Sequence, residues 1–276
     1  MQIKTGSHIG LITYSSNSTY LVPGRLLHGR FCVGKVIATT RFHTIYGGAD
    51  LSTGSNIIIK YAHHSACSYG RHGEACTRLV LEGVMLSLLK SKNIPAPHFL
   101  AQLHADSWPY LVMTKIPGQT LASLHQADRL HPRQVLHYMI RLCEYIWCLH
   151  QTGYVHHDIK PANIIIRPDD LPVLIDWGAA QRIGIPGDYP MESLGTPGYF
   201  SPEQAHGEVR PSNDIFALAM TLDELIPIQG RHLQRIISRA TVSIDKRYAR
   251  IVDFQRVLLR LALLDQLVSS LGLSAI

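Results

Sequence analysis

The chain has 276 residues, 46% of them hydrophobic and 17% charged, which excludes a disordered or fibrous protein and leaves room for one large domain or two modest lobes. Lysine and arginine outnumber the acids 26 to 20, a net charge of +6, but they are scattered without a run of five or six. That pattern argues against a nucleic-acid partner and suits a small anionic ligand.

Residues 1–24 are rich in Ser, Thr and Gly, end in Pro23-Gly24, and are expected to form an N-terminal extension or an extra hairpin. From there to about residue 61 the pattern is strand-like: "KVIATTRF", a Gly-rich turn "YGGADLSTGSN", then "IIIKYA". "ACTRLVLEGVMLSLLKS", 75–91, places Leu79, Val80, Val84, Leu86 and Leu89 at helical spacing. "PYLVM", 109–113, reads as a further strand, and "IPGQT" as the turn after it.

Beyond this point helices dominate. "HPRQVLHYMIRLCEYIWCLHQTG" has Pro132 in its first turn and Gly153 past its end, the expected start and stop signals. Two short apolar runs follow at 164–166 and 173–175, then three helices in "NDIFALAMTLDELI", "RHLQRIISRA" and "IVDFQRVLLRLALLDQL". The last of these opens an amphipathic C-terminal stretch interrupted by Arg260 and Asp265. No apolar run reaches the roughly 18 to 20 residues that span a bilayer, so no membrane segment is expected. The cysteines are Cys32, Cys67, Cys76, Cys143 and Cys148, odd in number and irregular in spacing. With no signal-peptide pattern ahead of them, reduced thiols in a cytoplasmic protein are expected.

The polar residues of "YVHHDIKPANIII", 154–166, carry the chemistry. Asp158 and Asn163 stand five apart, and Asp176 follows further along, at the end of "VLID". Two carboxylates and an amide on loops beside short strands are oxygen ligands of the kind Mg²⁺ takes, with phosphate and water completing the shell. A carboxylate left over accepts a hydroxyl proton, and the set together fits phosphoryl transfer. A polar turn joining two buried elements is the plain alternative for the first stretch.

Four strings in order make the sequence resemble the eukaryotic-like (Hanks-type) Ser/Thr protein kinases, in the compact style of bacterial or phage members. "HHDIKPAN" is similar to the catalytic loop H-R-D-x-x-x-x-N and "DWG" to D-F-G. "GTPGYFSPEQA" resembles the end of the activation segment, and "NDIFALAM" the helix that anchors the catalytic loop. The resemblance, covering about residues 25–256, implies an α+β, two-lobed protein kinase-like fold. It implies a small β-rich N-lobe at 25–113, a hinge at 114–118 and a mainly helical C-lobe at 119–276. ATP and Mg²⁺ are the implied cofactors, and Ser or Thr of a protein is the implied acceptor, with autophosphorylation. No oligomeric state is implied.

By position, the resemblance makes Asp158 the catalytic base, Lys160 a γ-phosphate contact, and Asn163 and Asp176 the Mg²⁺ ligands. Lys60 in "IIIKYA" would bind the α- and β-phosphates and pair with Glu82; Glu74, closer to Lys60 along the chain, is the competitor. "YLVMTKIPG" would be the hinge, with Met113 as gatekeeper and the backbone of Thr114 and Ile116 facing adenine. Lys160 and Thr196 favour Ser/Thr over Tyr. Asp214 and a Glu203–Arg247 ion pair would be structural.

The sequence also departs from the family. "GRFCVGKV" is matched to the Gly-rich loop with Gly29 and Gly34 as outer glycines and Phe31 in the middle position, a degraded loop. His157 replaces the Arg that would clamp a phosphate on the activation segment, which implies activity independent of that phosphate. Trp177 replaces Phe, a feature shared with aminoglycoside- and choline-type phosphotransferases, whose acceptors are small molecules. The stretch from Asp214 to Arg247 is short for the family, so a helix that docks protein substrates is expected to be largely deleted. A pseudokinase acting as a binding module is the reading from another class. His63, His64, Cys67, His72 and Cys76 crowd into one short stretch, but at spacings that match no standard zinc site, and a loop is expected there. Tyr189, Ser193 and Tyr199 are candidate modification positions.

Overall fold

The computed structural model describes residues 20–62, 72–105, 108–186, 195–227 and 230–269. A sheet-rich N-terminal region precedes a helical C-terminal region. The first contains β1 (Leu26–Leu27), β2 (Phe31–Thr39), β3 (His43–Asp50), β4 (Ser55–Ala62), β5 (Phe99–Ala105) and β6 (Trp108–Thr114). They form one antiparallel sheet in the order β1-β2-β3-β4-β6-β5. Helix α1 (His72–Ser91) crosses one face.

Side chains alternate across a strand, and in β4 that alternation decides where the chemistry lies. Ile57, Ile59 and Tyr61 point into an apolar cluster with Tyr46, Tyr110 and Val112. Ile58, Lys60 and Ala62 therefore take the opposite face, toward α1. The helix answers with Ala75, Leu79, Glu82, Leu86 and Leu89, spaced three or four apart and all buried. Val80 and Val84, counted with the apolar pattern from sequence, lie on the other side of α1, 48% and 55% exposed.

The sequence reading of the first strands needs correction. "KVIATTRF" is not one strand: β2 ends at Thr39 and β3 begins at His43, so residues 40–42 are a hairpin tip. "YGGAD" is not a turn but the body of β3, and the turn is residues 51–54. The glycines are there for close approach. A Cβ on Gly48 would stand 2.5 Å from the Cys32 carbonyl oxygen, and one on Gly34 would stand 2.7 Å from that of Gly47. Register shifts at Val33/Val36 and Val36/Ala38 mark irregular pairing in the same stretch.

The C-terminal region is built on α3 (Pro132–Gln151). His131 caps it, with Gln134 completing a reciprocal capping box. Its buried stripe, including Leu136, Met139, Cys143 and Ile146, packs on α5 (Pro211–Leu225) and α7 (Ile251–Ser269). A short α2 (Leu121–Gln126) follows β7 (Gln119–Thr120), which pairs with β9 (Ile164–Ile166), itself paired with β10 (Pro172–Leu174). β8 (Tyr154–Val155) pairs with β11 (Gln181–Arg182). α4 (Pro202–Ala205) precedes α5, and α6 (Arg231–Thr241) follows it after only a short connection.

Gly118 lies between β6 and β7 at φ 132°, where a Cβ would collide with the carbonyl of Ile166. Gly118→Ala is expected to destabilise by about 3 kcal/mol or more, since the obstacle is backbone. Gly24→Ala, at φ 86° but in open space, should lose only about 1 kcal/mol. Urea unfolding of the two variants tests the contrast, and equal losses would show that the crowding at Gly118 does not matter.

Candidate active site

Lys60 stands at the centre of the upper half of the site. Its Nζ donates to both carboxylate oxygens of Glu82 at 2.8 Å and to Oδ1 of Asp176 at 2.8 Å. Glu74 instead pairs with Arg78 one turn along the same helix, so of the two candidates it is Glu82 that meets Lys60. Burial alone would lower the Lys60 pKa, but the carboxylates of Asp176 and Glu82 outweigh it and hold the ammonium above its ordinary value. Burial likewise works against ionised Asp176, and Lys60 overcomes it and holds that carboxyl down. Glu82 is pushed up by its burial, with Lys60 opposing.

The lower half is organised by Asp214, fully buried on α5. Its two oxygens accept the backbone N–H groups of His156 and His157, each at 3.0 Å, and Oδ2 lies 2.8 Å from Nε2 of His150. Burial disfavours the ionised carboxyl, but the bond to His150 outweighs it and the pKa stays low. His157 takes a left-handed φ of 67°, so the chain turns there and presents the next residue.

That residue is Asp158, and each of its oxygens has partners. Oδ1 accepts from Thr196 Oγ1 at 2.7 Å; Oδ2 accepts from Lys160 Nζ at 2.9 Å and Asn163 Nδ2 at 2.8 Å. Lys160 also donates to Thr196 Oγ1 at 2.5 Å. Asp176, at φ 64°, is left-handed too, and Trp177 after it is buried edge-on against His156 at 4.4 Å. The Trp177 N–H donates to Glu82 Oε1 at 3.3 Å, so one carboxylate holds Lys60 and the chain beside Asp176 together.

Lys60, Asp158, Lys160, Asp176 and Thr196 line one cavity of about 230 Å³. Arg41 closes it from the β2–β3 tip. A wall holding Arg41, Lys60, Arg78 and Lys160 beside the carboxylates of Glu82, Asp158 and Asp176 fits a metal-chelated polyphosphate better than a bare anion. Asn163 lies beside Asp158, while the Asp176 side chain, 36% exposed, opens into the cavity. The last part of "GTPGYFSPEQA" is folded onto this site. Gln204 donates to the His157 carbonyl at 2.9 Å, and Glu203 pairs with Arg247.

A family model described as the protein kinase domain matches residues 32–254. The chain belongs to the protein kinase family. A probable serine/threonine-protein kinase of Streptomyces coelicolor is 29% identical over 212 residues, 74% of this chain and 31% of that protein. The serine/threonine-protein kinase PrkC of Bacillus subtilis is 31% identical over 214 residues, 75% of this chain and 32% of its own. PknB of Mycolicibacterium smegmatis is 33% identical over 123 residues, 43% of this chain and 20% of its own. The chain spans a third or less of the length of these curated relatives.

In this kinase domain the loop over the cavity is not the one read from sequence. Gly29 lies in the β1–β2 turn at φ 67°, and Gly34 lies within β2 against β3; neither lines the cavity. The overhanging tip is Thr40-Arg41-Phe42, which contains no glycine. His43 anchors it, with Nε2 2.9 Å from the Ala75 carbonyl of α1. The Arg78 guanidinium lies 4.6 Å from the Phe42 ring. The signal missed was positional: a strand carrying Lys60 needs a partner strand and then another, and counting back from "IIIKYA" puts the hairpin tip at 40–42.

Met113 is buried on β6 opposite Ile58. The Thr114 N–H donates to the His98 carbonyl at 2.9 Å. Ile116 is half-buried just beyond β6. His63, His64, Cys67, Tyr189 and Ser193 lie outside the described residues; Cys76 is partly buried, and burial raises its thiol pKa.

Burial lowers the pKa of both His43 and His157 from 6.5 to about 4. Both ring nitrogens of His157 are buried without a partner among the described residues. A histidine kept neutral in the fold takes up its proton only on unfolding. Stability is therefore full above about pH 6.5 and falls as pH drops toward 4, by up to about 3 kcal/mol per histidine. Urea unfolding at pH 7 and pH 5 measures the slope. His43→Gln with His157→Asn should flatten it, and an unchanged slope would assign it to other groups.

Proposed function

We propose that this chain transfers the γ-phosphoryl group of ATP to Ser or Thr of protein substrates, with autophosphorylation among its reactions. The observation that carries this reading is the closed network of Asp158, Lys160, Asn163 and Thr196 facing Lys60 and Asp176 across one cavity. In this reading residues 114–118 are the hinge between an N-lobe at 25–113 and a C-lobe at 119–276. The adenine lies beside Met113, the Thr114 carbonyl and the Ile116 backbone. Lys60 neutralises the α- and β-phosphates, and Glu82 keeps its ammonium on that side of the cavity.

Asn163 and Asp176 would hold Mg²⁺, which supplies charge neutralisation at the phosphates when bound. Asp158 takes the proton of the acceptor hydroxyl as it attacks in line, and Lys160 balances the charge growing on the transferred group. Thr196, bonded to both, marks where an acceptor hydroxyl approaches. A protein acceptor is favoured over a small molecule by the segment around Thr196, Gln204 and Glu203, held against the catalytic loop by side-chain bonds. Four described cysteines are all unpaired, which supports a reducing, cytoplasmic setting. Among the described residues no helix is long and apolar enough to cross a membrane.

Labelling with radioactive ATP and Mg²⁺, with sites mapped by mass spectrometry, is the direct test. Asp158→Ala should lower labelling of Ser and Thr by a factor of about 100 or more. Tight Mg-ATP binding with no labelling by the wild-type chain would instead favour a binding module. His157 is neutral and buried and offers no cation to a phosphate, so phosphatase treatment of the purified chain should leave its rate unchanged. A rate that collapses after such treatment would show that another cation performs the clamp.

A further inference from the structure

The exposed face of α6 is charged in a way that the fold itself does not use. Arg231, Arg235 and Arg239 recur every four residues, one above the other, and the helix contains no acidic residue. Like charges at this spacing are mutually repulsive. Arg231 also stands at the first position, the end where the helix dipole disfavours a cation. Several exposed arginines elsewhere are paired with a carboxylate: Arg30 with Asp50, Arg133 with Asp265, Arg141 with Glu144, Arg167 with Asp169 and Arg210 with Glu208; Arg41, Arg182 and Arg260 stand singly, whereas α6 stacks three on one face. Arg231, Arg235 and Lys246 meet no carboxylate among the described residues, and Arg239 only lies over the Tyr248 ring at 4.8 Å.

These cations border an open groove of about 1030 Å³ between α6 and the turn after it. Its wall also holds Val242, Gln234, Ser238 and a single carboxylate, Asp245. The floor is Arg247, buried in its pair with Glu203 of α4, which ends the segment folded on the catalytic loop. Among the described residues no helix lies between α5 and α6 in the chain.

We propose that this groove docks an acidic segment of the protein substrate. Arg231, Arg235, Arg239 and Lys246 pair with its carboxylates, and Val242 receives an apolar side chain between them. The carboxylate of Asp245 and the apolar side chain of Val242 disfavour a uniformly charged phosphodiester chain. That the occupant is a substrate rests on the kinase reading; that the groove takes an acidic peptide does not.

The test is fluorescence anisotropy with a short fluorescein-labelled peptide of Glu, Ser and Leu, without ATP. Binding should weaken as salt rises, because the attraction is between exposed charges. R231E/R235E/R239E should weaken it by about tenfold or more, while K90E/K92E/R260E, the same change in net charge elsewhere, should stay within about twofold. If circular dichroism shows that the first variant unfolds, R235Q/R239Q carries the same expectation at about threefold. Equal losses in the two triple variants overturn the proposal, as does groove-dependent binding of single-stranded DNA or phosphatidylserine vesicles tighter than that of the peptide. In a second arm, a Ser-containing acceptor peptide with an acidic tail should show a raised KM with the groove variant and an unchanged kcat. An acceptor without the tail should show neither change. Wild-type labelling of neither peptide would overturn the kinase reading while leaving the binding result to judge the groove.

Discussion

One buried ammonium organises the molecule. Lys60 is taken out of water and would be costly there without partners. It has two, Glu82 and Asp176, drawn from different elements. A strand of the sheet, the long helix across it and the loop after β10 are thus joined at one point. Removing either carboxylate leaves a buried charge short of compensation, on the order of 3 to 5 kcal/mol for such pairs. The strand alternation that buries Ile57 and Ile59 on one face is what delivers Lys60 to the other. The core and the site are set by the same period-two pattern.

The lower half repeats this logic with the signs exchanged. Asp214 is a buried anion whose two oxygens are used by the backbone of the loop it supports, and His150 completes it. A loop held by its own N–H groups keeps its shape whatever its side chains meet. This is why Asp158 can bond to three side chains at once without dragging the backbone. The histidine at 157 fits because its ring is neutral, and its left-handed backbone turns Asp158 toward the cavity.

How much of this could be read in advance depends on how local the signal is. The catalytic loop, the Asp176 turn and the segment ending in Ala205 are contiguous strings, and their chemistry is visible without knowing the fold. Glu82 separates from Glu74 by its distance along the chain from Lys60 and by the family pattern after it, while helical spacing misleads for Val80 and Val84, which are apolar but face solvent. The β2–β3 tip was missed for a physical reason. Two of its residues, Thr40 and Phe42, have strand propensity, whereas the true strand interior carries Gly47 and Gly48, which read as a turn. Those glycines answer to a neighbouring backbone, and a single sequence does not display its neighbours.

A loop rich in glycine bends by itself. The loop here is pinned, because the imidazole of His43 is bonded to the Ala75 carbonyl, two turns from Glu82 on the same helix. Hairpin and helix therefore form a single lever. Lifting the tip to admit a ligand pulls on α1, and a shift of α1 that loosens Glu82 from Lys60 also moves the tip. The hairpin tip and α1 thus share one fixed contact, and the position of either sets the position of the other.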